Sequence, residues 1–490
     1  MRKVLIDFLV LTERPDIGLV TVMTESFGVY NPFSGELLKE INLMSIEQIR
    51  SAIERATRAQ KKLQSLSIAD RSAMLMKCSL EITRRKDDLA TLMSREIGRP
   101  IKSSRGEIIR TSEIFKIAAT EAVHVMEGRF LDLGAFVHPP GNEKRVAMVV
   151  REPVGVVGSI TPFNFPASSF AQKVAPSLAV GNAVVHKPAR AAPLTQMEIS
   201  SIIMESGFPE GSVEIIHGVS SEVGDEFVSN PGIAAITFTG SEKVGLDLAS
   251  RAVKNGKKVV MELGGSDPEI VLDDADLEKA AEAVVVGRFD YAGQFCNATK
   301  RLIVQGSVLE KFTKILSEKM KGLKVGDPMN EDTIMGPMIH QDAIKEMGTF
   351  LEETKSKGGK ILYQGKAPVE KVFFPPTIIR VDRNAPVLDH EVFGPLIPVI
   401  SVKTDEEAIE RANETEYGLD ASVFTGSFDR AYKMAGKLKT GTVIINDTTR
   451  LRWDSLPFGG VKKSGIGRES VPDSMRELTN EKMIVYRVGD

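Results

Sequence analysis

Cysteine is scarce in this sequence, and the two cysteines lie far apart. Only Cys78 and Cys296 occur among 490 residues, so no disulfide framework can form, which is typical of a reducing compartment. The six histidines form no HxxxH pair and no CxxC motif occurs, so the usual spacings of a zinc site are missing. We therefore expect no metal site, and at least one cysteine that is free for chemistry.

The sequence also lacks an excess of charge of either sign and lacks long apolar runs. Its 63 Lys+Arg and 66 Asp+Glu residues give a net charge of −3 and are interleaved, which excludes nucleic acid and a membrane surface as expected partners. Residues 1–10 are apolar but are interrupted by Asp7, so neither a signal peptide nor a span of ~20 residues is predicted. We expect a soluble, cytoplasmic protein with small-molecule ligands.

The chain is longer than one typical domain of ~100 to 200 residues, and its pattern changes along its length. Residues 18–23 have strand character, and residues 45–128 are mainly helical, beginning with a capping box from Ser45 to Gln48. From residue 154, short β-branched runs alternate with helical segments, which indicates a parallel sheet built of βαβ units. The predicted strands are 154–160, 183–187, 212–216, 235–239 and 258–261, and the predicted helices include 167–179, 194–205 and 241–253.

A second α/β unit begins near residue 264. The pattern there predicts a helix over 276–292 and strands at 301–304, 399–402 and 441–445. Residues 128–150 alternate and contain prolines, so with residues 481–488 they predict an edge ribbon, which needs a partner strand and favours oligomerisation.

Ligands of open α/β sheets bind beyond the carboxyl ends of the strands, and polar residues follow four of the predicted strands here. Asn164 could direct its amide toward an oxyanion, or could be an Asx-turn residue. Lys187 and the Gly240-Ser241 turn could bind phosphate, or could be a solvated lysine and a helix N-cap. Glu262 follows an apolar strand, so it is either a desolvated general base or a salt-bridged carboxylate.

Cys296 follows a predicted helix and precedes a predicted strand, a loop position suited to a nucleophile. The alternative is a small buried apolar residue, the common role of a free cysteine. That alternative suits Cys78 better, because Met74, Leu75, Cys78 and Ile82 share one helical face.

Taken together, these segments resemble the aldehyde dehydrogenase superfamily over essentially the whole chain. Six motifs in the same order carry the resemblance: TPFNFP at 161–166, HKP at 186–188, FTGS at 238–241, MELGG at 261–265, GQFC at 293–296 and EVFGP at 391–395. The resemblance implies a Rossmann-like parallel-sheet cofactor domain (1–128 and 149–263). It also implies a second α/β catalytic domain (264–465) and a small β oligomerisation ribbon or arm (129–148 and 466–490).

The resemblance also implies residue roles. Cys296 would be the nucleophile, Glu262 the base that activates water, and Asn164 an oxyanion donor in aldehyde oxidation through a thiohemiacetal and a thioester. The NAD(P) site would be formed by ten residues: Thr161, Pro162, Lys187, Arg190, Gly240, Ser241, Val244, Leu263, Glu391 and Phe393. Among them, Glu391 would bind the nicotinamide ribose.

One departure from the family pattern concerns the choice of cofactor. The family often has an acidic residue three positions after the equivalent of Lys187, but this sequence has Arg190. Lys187 and Arg190 together should attract a 2′-phosphate, so we predict NADP in preference to NAD.

The region that lines the aldehyde tunnel in the family resembles the branch that acts on small polar or anionic aldehydes: lactaldehyde, glyceraldehyde or its phosphate, and semialdehydes. Arg110, Arg450 and Arg452 are the candidate anion ligands, with surface ion pairs as the alternative. Two other functions stay open: an acylating enzyme that uses coenzyme A, and a non-enzymatic dinucleotide-binding protein. Edge ribbons of the family type imply a homodimer or a homotetramer.

Overall fold

In the computed structural model, which describes residues 25–368 and 372–488, two short strands and four helices precede the first large sheet. The predicted strand at 18–23 and the segment 1–10 lie outside the described residues. Helix α1 begins with the predicted capping box, in which the Ser45 hydroxyl accepts from the Gln48 N–H at 3.3 Å and the Ser45 N–H donates to the Gln48 side chain at 2.8 Å. The elements are β1 Ser26–Tyr30, β2 Leu37–Asn42, α1 Ile46–Ser65, α2 Ile68–Arg84, α3 Lys86–Ile97 and α4 Ile101–Val125.

A three-stranded antiparallel ribbon joins the residues between 129 and 153 to the C-terminus. It consists of β3 Arg129–Asp132, β4 Arg145–Pro153 and β18 Thr479–Arg487, with β4 in the centre. The predicted edge ribbon is therefore present. Within the described part of the predicted C-terminal arm at 466–490, β18 forms part of the ribbon, whereas helix α14 Val471–Glu477 packs its apolar residues into the core under the first large sheet.

The first large sheet contains the five strands that the sequence predicts. Its order is β17-β9-β8-β5-β6-β7, and all strands are parallel except β17 Gly465–Ile466, which runs antiparallel to β9. The strands are β5 Val156–Ile160, β6 Ala183–Lys187, β7 Val213–Ile215, β8 Ala235–Thr239 and β9 Lys258–Glu262. The helices between them are α5 Pro166–Val180, α6 Leu194–Glu205, α7 Ser220–Ser229 and α8 Glu242–Lys254.

The second large sheet has seven strands in the order β12-β13-β14-β11-β10-β15-β16, of which only β12 is antiparallel to its neighbour. Separate apolar clusters cover its two faces: Ile270 and Ile303 pack on one side, and Val271 and Leu302 on the other. Its strands are β10 Asp267–Val271, β11 Thr299–Gln305, β12 Lys360–Gln364, β13 Thr377–Arg380, β14 Leu396–Val402, β15 Asp420–Phe424 and β16 Thr442–Ile445. Its helices are α9 Leu277–Val284, α10 Leu309–Lys321, α11 Gln341–Ser356, α12 Asp405–Asn413 and α13 Phe428–Ala435.

The prediction of one helix over 276–292 is wrong in its second half. Helix α9 ends at Val284, and a π-helix over Val285–Phe289 and a 3₁₀ turn over Asp290–Gly293 follow. Tyr291 and Ala292 have φ angles of 48° and 55°, a left-handed conformation that ends a right-handed helix. The turn brings residues 294–297 to the edge between the two large sheets. Across the described parts of the chain, no helix is long and apolar enough to cross a membrane.

Candidate active site

A cavity of about 730 Å³ lies where the carboxyl ends of the first sheet face the loop before β11. Its lining includes twelve of the sixteen residues that the sequence indicates. They are Arg110, Pro162, Asn164, Gly240, Ser241, Glu262, Leu263, Cys296, Glu391, Phe393, Arg450 and Arg452. Thr161, Lys187, Arg190 and Val244 lie outside this lining.

Cys296 lines the cavity and is half-buried, whereas Cys78 is buried in the helical core, where burial raises the pKa of its thiol to about 12. The residues on both sides of Cys296 are fixed. The Gln294 side chain donates to the Tyr291 and Pro337 carbonyls at 3.2 and 3.3 Å, and the Asn297 side chain donates to the Thr449 carbonyl at 3.0 Å. The loop therefore holds Cys296 rigidly at the wall of the cavity.

Asn164 is almost fully buried, 4% exposed, and its side chain makes a long-range contact in place of an Asx turn. Its Nδ2 donates to the Gln294 carbonyl at 2.9 Å, two residues before Cys296. Because an amide nitrogen carries two hydrogens, this bond orients the side chain and leaves the second N–H for another acceptor. Asn164 can therefore act as a fixed donor in the same cavity as Cys296.

Glu262 ends strand β9, is 2% exposed and lines the cavity. Its Oε1 has no hydrogen-bond partner among the described residues, and none of the ion pairs found there includes it. Burial, and then the charge of Glu469, raise the pKa of the Glu262 carboxyl well above its usual range. The salt-bridged alternative for Glu262 therefore has no support in the geometry.

Carboxyl groups and burial act together on the Cys296 thiol. Burial raises its pKa, and the charges of Glu262, Asp267 and Glu391 raise it further, while Lys300 opposes them. Since the thiolate is the nucleophilic form, Cys296 needs a proton acceptor close by. Glu262 lines the same cavity and can serve as such an acceptor, because burial increases the affinity of its carboxylate for a proton.

The Gly240-Ser241 turn joins β8 to α8 as the sequence predicts. Ser241 is the N-cap residue of α8, but its side chain makes no capping hydrogen bond, so it and the first N–H groups of the helix are available for an anion. Gly245 lies against Leu263, and a Cβ at residue 245 would be only 2.2 Å from the Leu263 Cδ2. Val244, in the first turn of α8, is 54% exposed.

Two basic residues lie at the end of strand β6, outside the cavity lining: Lys187 is the last residue of the strand, and Arg190 follows it. Lys187 is buried, and burial, together with the nearby Arg190, lowers its pKa to about 8. Arg190 is exposed, and its guanidinium lies 5.5 Å from the centre of the Phe27 ring. The hydroxyl of Thr161 is buried and donates to Gln196 at 3.1 Å, so any contact of Thr161 with a ligand would have to use its backbone.

Glu391 and Phe393 lie on the opposite wall, on the loop before β14. The Glu391 Oε1 accepts from the Lys300 Nζ at 2.7 Å and from the Gly265 N–H at 3.2 Å. Phe393 packs edge-on against Phe163, with 6.1 Å between the ring centres. These contacts place a carboxylate and two aromatic rings beside the loop that carries Cys296.

The three candidate anion ligands differ in how fully they are paired. Arg110 makes a bidentate bond to Asp454 at 2.7 and 2.9 Å, and Arg452 pairs with Glu469 at 3.2 Å. Arg450 differs, because its nearest carboxylate is Asp290 at 3.9 Å, and its Nε and Nη1 have no hydrogen-bond partner among the described residues. The ion-pair alternative therefore describes Arg110 and also Arg452, whose Nε lies 3.5 Å from Asp454 without a hydrogen bond. Among the described residues, Arg450 has two such nitrogens and the longest of these ion pairs.

Six charged residues near the cavity escaped the sequence reasoning: Arg99, Glu107, Lys173, Asp290, Lys300 and Glu469. Arg99 and Glu107 form a buried ion pair, Lys173 pairs with Glu469 at 2.6 Å, and Lys300 pairs with Glu391. Asp290, which is also part of the cavity wall, accepts from the Ser103 hydroxyl at 3.3 Å. The buried face of α4 already places Glu107 in phase with Thr111 and Ile114, which was a usable signal. Nothing local in the sequence distinguishes Arg99.

Comparison with known proteins agrees with this geometry. A sequence model of the Aldehyde dehydrogenase family matches residues 20–484. The chain belongs to the aldehyde dehydrogenase family. It is 40% identical over 465 residues to a lactaldehyde dehydrogenase of Methanocaldococcus jannaschii, an alignment that covers 94% of this chain and 97% of the relative.

Two solved structures, both of complexes with NADP, are also similar. One is the glyceraldehyde-3-phosphate dehydrogenase GapN of Methanocaldococcus jannaschii, with a TM-score of 0.88, 39% identity, and coverage of 94% of this chain and 98% of that one. The other is the NADP-dependent glyceraldehyde-3-phosphate dehydrogenase of Bacillus halodurans, with a TM-score of 0.91, 37% identity, and coverage of 95% and 96%. The predicted family, enzyme class and α/β fold class are thus confirmed.

Proposed function

We propose that this aldehyde dehydrogenase oxidises a small polar aldehyde to its carboxylic acid with NADP or NAD, through a covalent intermediate on Cys296. The observation that carries the proposal is the single cavity that contains Cys296, Glu262 and Asn164 beside the Gly240-Ser241 turn. The test is NADP and NAD reduction over a panel of aldehydes, with acid as the measured product. Acid formed without coenzyme A supports hydrolysis, whereas strict dependence on coenzyme A contradicts it.

The residues in the cavity account for the bond changes. The Cys296 thiol gives its proton to Glu262, which passes it to solvent, and Sγ adds to the carbonyl carbon. The oxyanion receives hydrogen bonds from the second Asn164 N–H and from the Cys296 N–H. When the C=O bond re-forms, the former aldehyde hydrogen leaves with its electron pair and a thioester remains on Sγ. Glu262 then takes a proton from water, whose oxygen adds to the thioester carbon. Cleavage of the C–S bond releases the acid and restores Cys296.

The dinucleotide fits the opposite part of the cavity. The first N–H groups of α8 and the Ser241 side chain, which makes no capping hydrogen bond, suit a diphosphate. On the other side of the cavity, the Glu391 carboxylate lies so close to the Gly264 backbone that a Cβ at residue 264 would be 2.3 Å from it. Bound NADP or NAD supplies the nicotinamide ring that accepts the hydride. Glu391 and Phe393 would hold the nicotinamide half, and Lys187 and Ser241 the adenosine and phosphate half.

We expect NADP to be preferred, and Arg190→Glu to reverse that preference. An acidic side chain there would repel a 2′-phosphate, so the ratio of kcat/KM for NADP to that for NAD should fall by about tenfold or more. Arg190→Gln is the matched control and should give an intermediate ratio.

The pKa of Lys187, about 8, provides a separate test by pH, since the charge of this lysine is present below that value and lost above it. The affinity for NADP should therefore weaken from pH 7 to pH 9 more than that for NAD, and an unmodified enzyme that prefers NAD contradicts the proposal.

The substrate is proposed to carry a hydroxyl or anionic group that reaches Arg450. Two nitrogens of Arg450 have no hydrogen-bond partner among the described residues, and its guanidinium lies over the Phe295 ring, 3.1 Å from the ring centre, which supports this proposal. The similarity to a lactaldehyde dehydrogenase and to a glyceraldehyde-3-phosphate dehydrogenase supports it as well. Asp290 beside Arg450 can accept from a substrate hydroxyl.

For Arg450→Met we expect KM for lactaldehyde, succinate semialdehyde and glyceraldehyde 3-phosphate to rise by about 10- to 100-fold, because a charge-assisted hydrogen bond is lost. KM for an unsubstituted aliphatic aldehyde should change little. Arg110→Met is the matched comparison, since its guanidinium is already occupied by Asp454. Equal effects on the hydroxylated or anionic aldehydes and on the unsubstituted aliphatic aldehyde reject the role of Arg450.

A homodimer or homotetramer is also proposed, assembled through the ribbon and located in the cytoplasm. Several large apolar side chains of the ribbon are exposed, among them Phe130 at 66% and Met483 at 65%. Such a surface requires a cover, and a second copy of the ribbon could supply it. Sedimentation that finds only monomer contradicts this part of the proposal.

A further inference from the structure

Lys300 is a buried lysine that connects the two walls of the cavity. It lies at the start of β11, and its side chain is 1% exposed. Its Nζ donates to the Cys296 carbonyl and to the Glu391 Oε1, and it lies 5.9 Å from the centre of the Phe393 ring. One ammonium group thus contacts both the backbone of the nucleophile and the loop that carries Glu391.

The contact fixes how Glu391 is presented. Lys300 and the Gly265 N–H both donate to Oε1, while Oε2 lies so near Gly264 that a Cβ there would be 2.3 Å away. Only the second oxygen is left for a ligand in the cavity. Without Lys300, the Glu391 carboxylate would keep a single backbone donor and could rotate away.

The charge of Lys300 also faces an acidic environment. Around the Cys296 thiol, the carboxyls of Glu262, Asp267 and Glu391 disfavour ionisation, and Lys300 opposes them. Asp267 and Asp420 face Lys300 from β10 and β15, and Arg450 is a further cation near Cys296. Removal of the lysine charge would leave Arg450 as the remaining cation that opposes these carboxyls near the thiol.

We propose that Lys300 is a positioning residue that holds Glu391 for the nicotinamide ribose and, through the Cys296 carbonyl and its charge, keeps the thiol in a reactive arrangement. The inference rests on the proposed function, because it assigns Glu391 to the dinucleotide. Its hydrogen bonds within the described part of the chain go to the Cys296 carbonyl and to Glu391, so Lys300 acts through these residues.

The test compares Lys300→Met and Lys300→Arg with the unmodified enzyme by two readouts besides turnover. The first is the Kd for NADP by titration calorimetry, which should rise by about tenfold in Lys300→Met, the loss expected for one charge-assisted hydrogen-bond network. The second is the pH dependence of Cys296 alkylation by iodoacetamide without NADP, followed by mass spectrometry, whose midpoint should move to higher pH. Lys300→Arg should recover most of both.

The control is Lys257→Met, which removes another largely buried lysine. Lys257 immediately precedes β9, at the end opposite Glu262, and its Nζ donates to two carbonyls at 2.5 and 2.6 Å. It should lower stability without changing either readout. If Lys300→Met does not fold, Lys300→Gln decides, because it keeps a donor while removing the charge.

An unchanged Kd and an unchanged alkylation profile in a folded Lys300 variant overturn the inference. A shift equal to that of Lys257→Met does so too, because it indicates only a general loss of stability. If the unmodified enzyme binds neither NADP nor NAD, the proposed function itself fails, and this outcome is separate from a failure of the Lys300 inference.

Discussion

Cys296→Ala should reduce aldehyde oxidation by at least about 10³-fold while NADP binding stays within about twofold. Removal of the nucleophile abolishes the covalent route, and losses of this size or larger are usual when such a residue is removed. Binding should persist, since the residues proposed for the dinucleotide lie on β6, α8 and the loop before β14. The measurements are NADPH formation with lactaldehyde and calorimetric titration of NADP.

Cys78→Ala is the matched control, because it makes the same chemical change in the buried face of α2. It should lower thermal stability slightly and leave turnover intact. Near-normal activity in Cys296→Ala, or a large loss in Cys78→Ala, would reject the assigned nucleophile.

Glu262→Gln should slow release of the acid by about 10² to 10⁴-fold, the usual contribution of a general base. At high pH, where the thiol ionises without help, the first turnover should still occur, so a burst of NADPH near one per active site should precede a slow steady state. Mass spectrometry should then detect the acyl group on Cys296. A burst followed by full steady-state activity contradicts the role of Glu262 in hydrolysis.

The pH profile provides a second measurement on the same variant. Because the pKa of Glu262 is raised above its usual range, the carboxyl is protonated and inactive as a base at low pH, and kcat should rise as pH increases through that pKa. This limb should disappear in Glu262→Gln. Glu269→Gln is the control, since Glu269 is another buried carboxyl with a raised pKa, on β10 outside the cavity lining, and it should leave the limb in place.

Local signals were sufficient for much of the fold. All five predicted strands of the first sheet occur within two residues of their predicted bounds, because β-branched runs between turn residues have few other ways to bury their side chains. The prediction failed at 276–292, where Tyr291 and Ala292 adopt left-handed backbone conformations. Neither residue favours that conformation on its own, so it depends on tertiary packing, and no periodicity could predict it.

In the candidate site, too, local motifs predicted some features and tertiary packing decided others. Asn164 and Glu262 could be found because the carboxyl ends of parallel strands meet at one edge of a sheet. Cys296 could be found because it lies in a loop between a predicted helix and a predicted strand, within a motif of the family. The state of Arg450 could not be predicted. Arg110, Arg450 and Arg452 have the same chemistry in the sequence, and only the positions of Asp454, Glu469 and Asp290 decide that the first and the last are closely paired while Arg450 has its nearest carboxylate at 3.9 Å.

The sequence by itself therefore determined the family, the parallel sheets, and which sulfur, carboxyl and amide are the candidates for catalysis, because these depend on short motifs and periodicity. Tertiary structure alone decided the electrostatics of the site: the bridge from Lys300 to Glu391 and, among the described residues, the Glu262 Oε1 and the two Arg450 nitrogens that have no hydrogen-bond partner. The physical reason is that pairing and burial depend on groups that are distant in the chain, and the charge of a side chain has its effect only in the surroundings that the fold creates.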